Sequence, residues 1–211
     1  MSPMEPFTDL RSRVVPVPSE NIDTDRIVPA RFLTITDRSG LDRALFADWR
    51  IGPDGAPNPD CPLDLESYRG ARILLAGDNF GCGSSREHAA WALLAGGFKV
   101  VLSTRLADIF RGNALRNGLL AVEIEPALYE RLLAGVRESP ALEVGVSLER
   151  REIRVGDGDE AVPFEIDAFS RECLLRGVDQ LGFLLERLGE IDAWEADHEP
   201  RFDTRDPGAA G

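Results

Sequence analysis

The sequence predicts an α/β domain built on a parallel βαβ core with a β-hairpin attached. Three observations carry that expectation. Residues 73–76 (ILLA) and 98–102 (FKVVL) are continuous apolar runs of strand length, as found in strands buried on both faces. Between them, residues 86–94 read as a helix stopped by Gly96 and Gly97, so the two strands run parallel with a right-handed crossover. Further on, residues 142–155 (LEVGVSLERREIRV) alternate apolar and polar in two runs split near residues 149–151, which predicts the hairpin.

The other elements follow in chain order. Residues 11–18 (RSRVVPVP) read as a short strand ended by prolines, followed by the turn-forming, acidic stretch 19–26. Residues 38–64, with Gly, Pro, Asn and Asp throughout, read as a long irregular loop, the kind that serves as a lid or a disordered connector. A helix over 106–116 stops at Asn117–Gly118, a strand covers 119–124, and Pro126 opens an amphipathic helix over 127–138. Residues 162–166 add a strand. Helices over 167–176, with Asp167 as N-cap, and over 178–194 close the fold. Residues 1–197 are expected to form a single domain, and the polar, Pro- and Gly-rich tail 198–211 to be disordered.

Composition narrows the function classes. A chain of 211 residues, 43% hydrophobic and 29% charged, is an ordinary globular protein able to bury roughly 70% of its unfolded surface. No run approaches the ~20 apolar residues of a membrane span, and the N-terminus lacks a signal-peptide pattern, so a cytoplasmic location is expected. The net charge of −13 argues against nucleic-acid binding, which requires a basic face. Three scattered cysteines (61, 82, 173) and two histidines (88, 198) form no metal-ligand spacing, so no metal site is expected on this chain.

The densest chemistry lies in residues 77–87 (GDNFGCGSSRE). Glycines at 77, 81 and 83 let backbone N–H groups approach a ligand with no Cβ in the way. The run follows a buried strand and opens a helix, which places it where open α/β sheets bind ligands. Ser84 and Glu87 fit the capping box S-x-x-E, predicting Ser84 as N-cap. Such a helix start favours an anion, and Arg86 adds a fork suited to a carboxylate. A tight turn explains the glycines equally well, and pattern alone does not separate the two. Cys82, with His88 one turn on, offers a rival thiol nucleophile, against the simpler reading of a small cysteine filling a turn. The second cluster, residues 21–26 (NIDTDR), sets Asp23 and Asp25 two residues apart; on spacing alone it is an Asx-rich turn.

Residues 21–33 (NIDTDRIVPARFL), 45–50 (LFADWR), 77–92 (GDNFGCGSSREHAAWA) and 98–112 (FKVVLSTRLADIFRG) together resemble a known family, with weaker similarity over 164–183. The chain resembles the swivelling domain of the aconitase superfamily and, within it, the small subunits of bacterial isopropylmalate dehydratases. The likeness implies a swivelling β/β/α three-layer domain. It also implies half of a hydro-lyase of leucine biosynthesis, active only as a heterodimer. The partner would be a large subunit carrying a [4Fe–4S] cluster, with no cofactor on this chain and a small diacid as substrate. Carried over residue by residue, Ser84 matches the base that removes a proton beside a carboxylate, and Ser85 and Arg86 match carboxylate-holding groups. Asp25 matches an active-site acid that orients its partners. Arg31, Phe32, Leu33 and Thr34 match the loop that recognises the substituent on the third carbon of the substrate. Related hydro-lyases, such as homoaconitase or a methylmalate hydratase, remain as alternatives, and so does a stand-alone anion-binding or cysteine-dependent module.

Overall fold

The structure is a computed structural model that describes residues 4–34, 40–52, 54–158 and 160–198. The predicted disordered tail lies outside the described residues, apart from His198. The first strand, β1 (Leu10–Val17), is the centre of a seven-stranded sheet and pairs differently along its length. Its second half, from Val14, runs parallel to β2 (Ile73–Ala76) with Val14 opposite Ile73. Its first half runs antiparallel to β5 (Glu143–Ser147) with Leu10 opposite Val146.

Two short helices, α1 (Thr24–Ile27) and α2 (Ala47–Arg50), lie between β1 and β2. After β2 the chain alternates through α3 (His88–Ala95), β3 (Val100–Ser103), α4 (Asp108–Arg116) and β4 (Leu120–Glu123), giving the predicted parallel βαβαβ unit. Every residue of β2 and β3 is buried, which is why neither strand alternates. Helix α5 (Pro126–Glu138) begins at its proline and leads to the hairpin β5–β6 (Glu152–Val155), with β7 (Ala161–Pro163) at the edge. The order is β4-β3-β2-β1-β5-β6-β7, four parallel strands joined at β1 to an antiparallel set.

Two expectations are corrected. The long loop is not an irregular excursion in its described parts: Leu41, Ala44, Leu45, Phe46 and Cys61 are buried, and Phe46 sits edge-on to Trp49 at 5.7 Å. Apolar residues scattered among glycines and prolines fasten the segment to the core, with α2 and a 3-10 turn over Pro62–Asp64 as its regular parts. After α6 (Ala168–Arg176), the helix expected over 178–194 is broken into α7 (Gln180–Leu185) and α8 (Leu188–Asp197). Arg187 lies at the break. Its guanidinium lies 3.6 Å from the Phe183 ring centroid and donates to Phe183 O at 3.3 Å. The Arg187 amide bonds Leu184 O rather than the Phe183 carbonyl it would use in a continuous α-helix.

Candidate active site

The parallel strands β1, β2 and β3 end side by side, and the segments that leave them stay in register. Isolated parallel bridges join Asp23 to Cys82 and Phe80 to Leu106, so the loop after β2 lies between those after β1 and β3. The Thr24 amide donates to Cys82 O at 2.9 Å and the Gly81 amide to Ile22 O at 2.7 Å. The two clusters singled out in the sequence, 21–26 and 77–88, therefore form one site at the carboxyl ends of the strands, where open α/β sheets place their ligands.

Two glycines are required by this packing. A Cβ on Gly77 would lie 2.4 Å from Ser19 O, and one on Gly81 would lie 2.3 Å from Phe110 Cγ. Gly81 also has φ +77, which disfavours any side chain. Phe110 packs edge-on against Phe80 at 5.3 Å, fixing the loop from beneath. At the loop's entrance, Asn79 donates to Asn21 Oδ1 at 2.8 Å, both residues adopting the positive φ that asparagine tolerates.

The capping expectation at Ser84 is overturned. Helix α3 starts at His88 and no side chain caps it. The Ser84 hydroxyl is 3.1 Å from Thr24 Oγ1, and the Ser84 carbonyl accepts the Arg86 amide at 2.9 Å. Glu87, the other half of the expected box, accepts from Asn117 Nδ2 at 3.2 Å, and Asn117 Oδ1 accepts the Trp91 indole at 2.7 Å. The acidic side chain is drawn to the end of α4 rather than back to the helix start. Residues 83–87 thus form an extended turn ahead of the helix, with Gly83, Ser84 and Ser85 exposed. Among the described residues, no acceptor bonds the amides of these three positions.

Four of the sequence-derived candidates meet here. Arg86 forms an ion pair with Asp25 across the two clusters, the arginine side chain 24% exposed and the aspartate 53%. Ser84 and Ser85 stand beside this pair in the chain, both open to solvent. Asp23, the second carboxylate of the first cluster, does a different job: it caps α1, accepting the Arg26 amide at 2.7 Å. Arg31, Phe32, Leu33 and Thr34 follow α1 in a 3-10 turn over Ala30–Phe32 and its exit. Arg31 is held by Asp48 at 2.6 Å and lies over the Phe32 ring. Among the described residues, no hydrogen bond or ion pair joins this turn to Ser84, Ser85 or Arg86.

Two supporting residues escaped the sequence reading. Thr24, 1% exposed, sat unremarked between the carboxylates of NIDTDR. Asn113, 2% exposed within α4, donates to Ser85 O at 3.4 Å. A buried asparagine on the core side of a helix is a signal, but only once the helix has been placed.

The cysteines do not make a cluster site. Burial pushes the Cys61 and Cys173 thiols up, away from the thiolate form that binds metal, and Cys82 is half-buried. Among the described residues, no three His, Cys, Asp or Glu side chains gather to hold a metal ion. The residues present do not fit an iron–sulfur cluster. None of the described helices is long and apolar enough to cross a membrane.

Comparison with known proteins identifies the family. The family model for the aconitase C-terminal domain matches residues 4–127. The 3-isopropylmalate dehydratase small subunit of Anaeromyxobacter dehalogenans is 53% identical over 91% of this chain and 98% of its own. That of Chloroflexus aurantiacus is 52% identical over 96% of this chain and 100% of its own. A crystal structure of 3-isopropylmalate dehydratase from Methanocaldococcus jannaschii superimposes with a TM-score of 0.64 at 25% identity, covering 89% of this chain and 99% of that one. The chain belongs to the aconitase superfamily and, within it, to the family of 3-isopropylmalate dehydratase small subunits.

Proposed function

We propose that this chain acts as the small subunit of 3-isopropylmalate dehydratase. It would complete the active site in which 2-isopropylmalate is converted to 3-isopropylmalate through 2-isopropylmaleate, in leucine biosynthesis in the cytoplasm. The observation that carries this reading is the group Ser84, Ser85, Arg86 and Asp25, drawn from two distant segments and left open to solvent. A reactive group this exposed lacks the water-excluding cover that such chemistry requires, and a second subunit docking over it would supply one.

In this assignment Ser84 takes the proton from the carbon beside a carboxylate. The electron pair of that C–H bond forms the C=C bond as the neighbouring C–O bond breaks and hydroxide departs. A [4Fe–4S] cluster on the large subunit would supply the Lewis acid for the departing oxygen. Ser84 must act as an alkoxide, and the amides at Gly83, Ser84 and Ser85, which bond no acceptor among the described residues, are the kind of donors that stabilise an oxyanion. Arg86 holds a substrate carboxylate with one edge of its fork while Asp25 orients the other, and Ser85 adds a hydroxyl. The turn carrying Arg31, Phe32, Leu33 and Thr34 recognises the substituent, with half-buried Leu33 suited to an isopropyl group.

Anaerobic co-expression with the cysteine-rich large subunit of the same organism tests the proposal. Turnover of 2-isopropylmalate is expected from the copurified pair and from neither chain alone. Activity of this chain by itself would refute it. Preferential turnover of homocitrate or a methylmalate by the pair would reassign the substrate.

A further inference from the structure

Ser84 is exposed, yet it rests on a buried group. Thr24 is 1% exposed, and its Oγ1 lies 3.1 Å from Ser84 Oγ and 3.4 Å from Ser84 O. The backbone holds Thr24 firmly: its amide donates to Cys82 O at 2.9 Å, and its carbonyl accepts the Val28 amide at 2.9 Å. Burying a hydroxyl is costly unless it is hydrogen-bonded, and valine has nearly the same shape without that cost. Among the described residues, both hydrogen-bonding partners of this hydroxyl belong to Ser84.

A threonine hydroxyl has one proton and two lone pairs, so it can serve either protonation state of its neighbour. With Ser84 as an alcohol, Ser84 donates to Thr24 Oγ1, and the threonine proton points to Ser84 O. With Ser84 as an alkoxide, the threonine proton turns to Ser84 Oγ. Asp23, Asp25, Arg26, Cys82, Arg86, Glu87 and His88 are the charged or titratable residues of the two segments that meet here. Asp25 pairs with Arg86, Asp23 accepts the Arg26 amide and Glu87 accepts from Asn117, and among the described residues the Thr24 hydroxyl bonds Ser84 instead.

We infer that Thr24 is a positioning residue for Ser84, a buried hydroxyl that reverses its hydrogen bond as Ser84 gains and loses the substrate proton. The inference rests on Ser84 acting as the base. Thr24 keeps its own proton throughout: the substrate C–H proton ends on Ser84 Oγ, and the C–H electron pair stays in the new C=C bond. The donor that meets the alkoxide is thus in place before the reaction and requires no incoming water.

The test uses the assembled two-subunit enzyme with Thr24→Val, Thr24→Ser and Ser84→Ala. Thr24→Val should lower kcat about 10²-fold, the effect of losing one oxyanion donor, with KM within about twofold of the parent. Thr24→Ser, which keeps the hydroxyl, should recover most of kcat. Melting temperatures check folding, and Thr24→Ala provides a second hydroxyl-free variant should the valine disturb packing. If the hydroxyl-free variants keep parental kcat while Ser84→Ala is inactive, the inference fails and the base assignment stands. The inference also fails if Thr24→Ser is as impaired as Thr24→Val, or if the loss lies in KM or stability alone. If Ser84→Ala turns over normally, both fail.

Discussion

Helices α6 and α3 begin in contrasting ways. At α6 the Asp167 carboxylate accepts the Ser170 amide at 2.8 Å, and the helix starts at the next residue. At α3 no side chain caps the helix, and the two serines ahead of it are exposed. Both starts carry good capping residues within a few positions, so the difference lies in what else those residues contact. Asp167 has the helix to itself. Ser84 is bound to Thr24 from another segment, and Glu87 is bound to Asn117. A capping residue withheld from its helix leaves stabilisation of about 1 kcal/mol unused. Local stability is given up where side chains serve a site.

Substitutions at the two starts should therefore act on different quantities. The largest effect on stability is expected for Gly81→Ala, which adds a Cβ 2.3 Å from Phe110 Cγ at φ +77. Strain and overpacking together should cost about 3 kcal/mol or more, read as a lower urea midpoint and lost turnover. A parental midpoint would show that the loop yields easily and would blur the contrast with α6.

Arg86→Lys keeps the charge beside Asp25 and removes the fork. In the assembled enzyme KM should rise about tenfold, equivalent to ~1.4 kcal/mol, with the melting temperature unchanged. An unaltered KM would remove Arg86 from substrate binding. Asp167→Ala should do the opposite, costing about 1 kcal/mol of stability, or ~2–4 °C, with kcat and KM per folded enzyme unchanged.

That last effect has a pH signature. Burial works to raise the Asp167 carboxyl, but hydrogen bonds from Ser170 and the charge of Arg111 outweigh it and hold the carboxyl below the usual aspartate range. A folded value below the unfolded one, about 3.9, gives stability that is present above that pH and is lost as the pH falls through the folded value. The gap between parent and Asp167→Ala melting temperatures should be constant near neutrality and shrink below about pH 4. A gap that stays open in acid would assign the effect to lost packing rather than to the charged cap.

The parts of the molecule that were legible in the sequence are those set by local rules. Continuous apolar runs identified β2 and β3, Pro126 marked the start of α5, and Asp167 was recognised as a cap. Motif resemblance supplied the candidate site residues. The rest depended on contacts between distant segments. Nothing in the spacing shows that residue 24 meets residue 84, or that Asn117 at the end of α4 draws Glu87 away from its helix. Leu41, Leu45 and Phe46 lie among turn formers that suggest a loop, and only the core they enter shows that the segment is packed. At the break between α7 and α8 one arginine folds back over Phe183, a choice of rotamer that propensity does not register.

The most direct test of the account is Ser84→Ala in the assembled enzyme, with turnover and melting temperature measured on the same preparation. An exposed serine that caps no helix should lower the melting temperature only slightly, through the one hydrogen bond lost at buried Thr24, while its loss as base should lower kcat about 10³-fold or more. Near-parental turnover, or a lower melting temperature with turnover retained, would contradict the account and make Ser84 a structural residue.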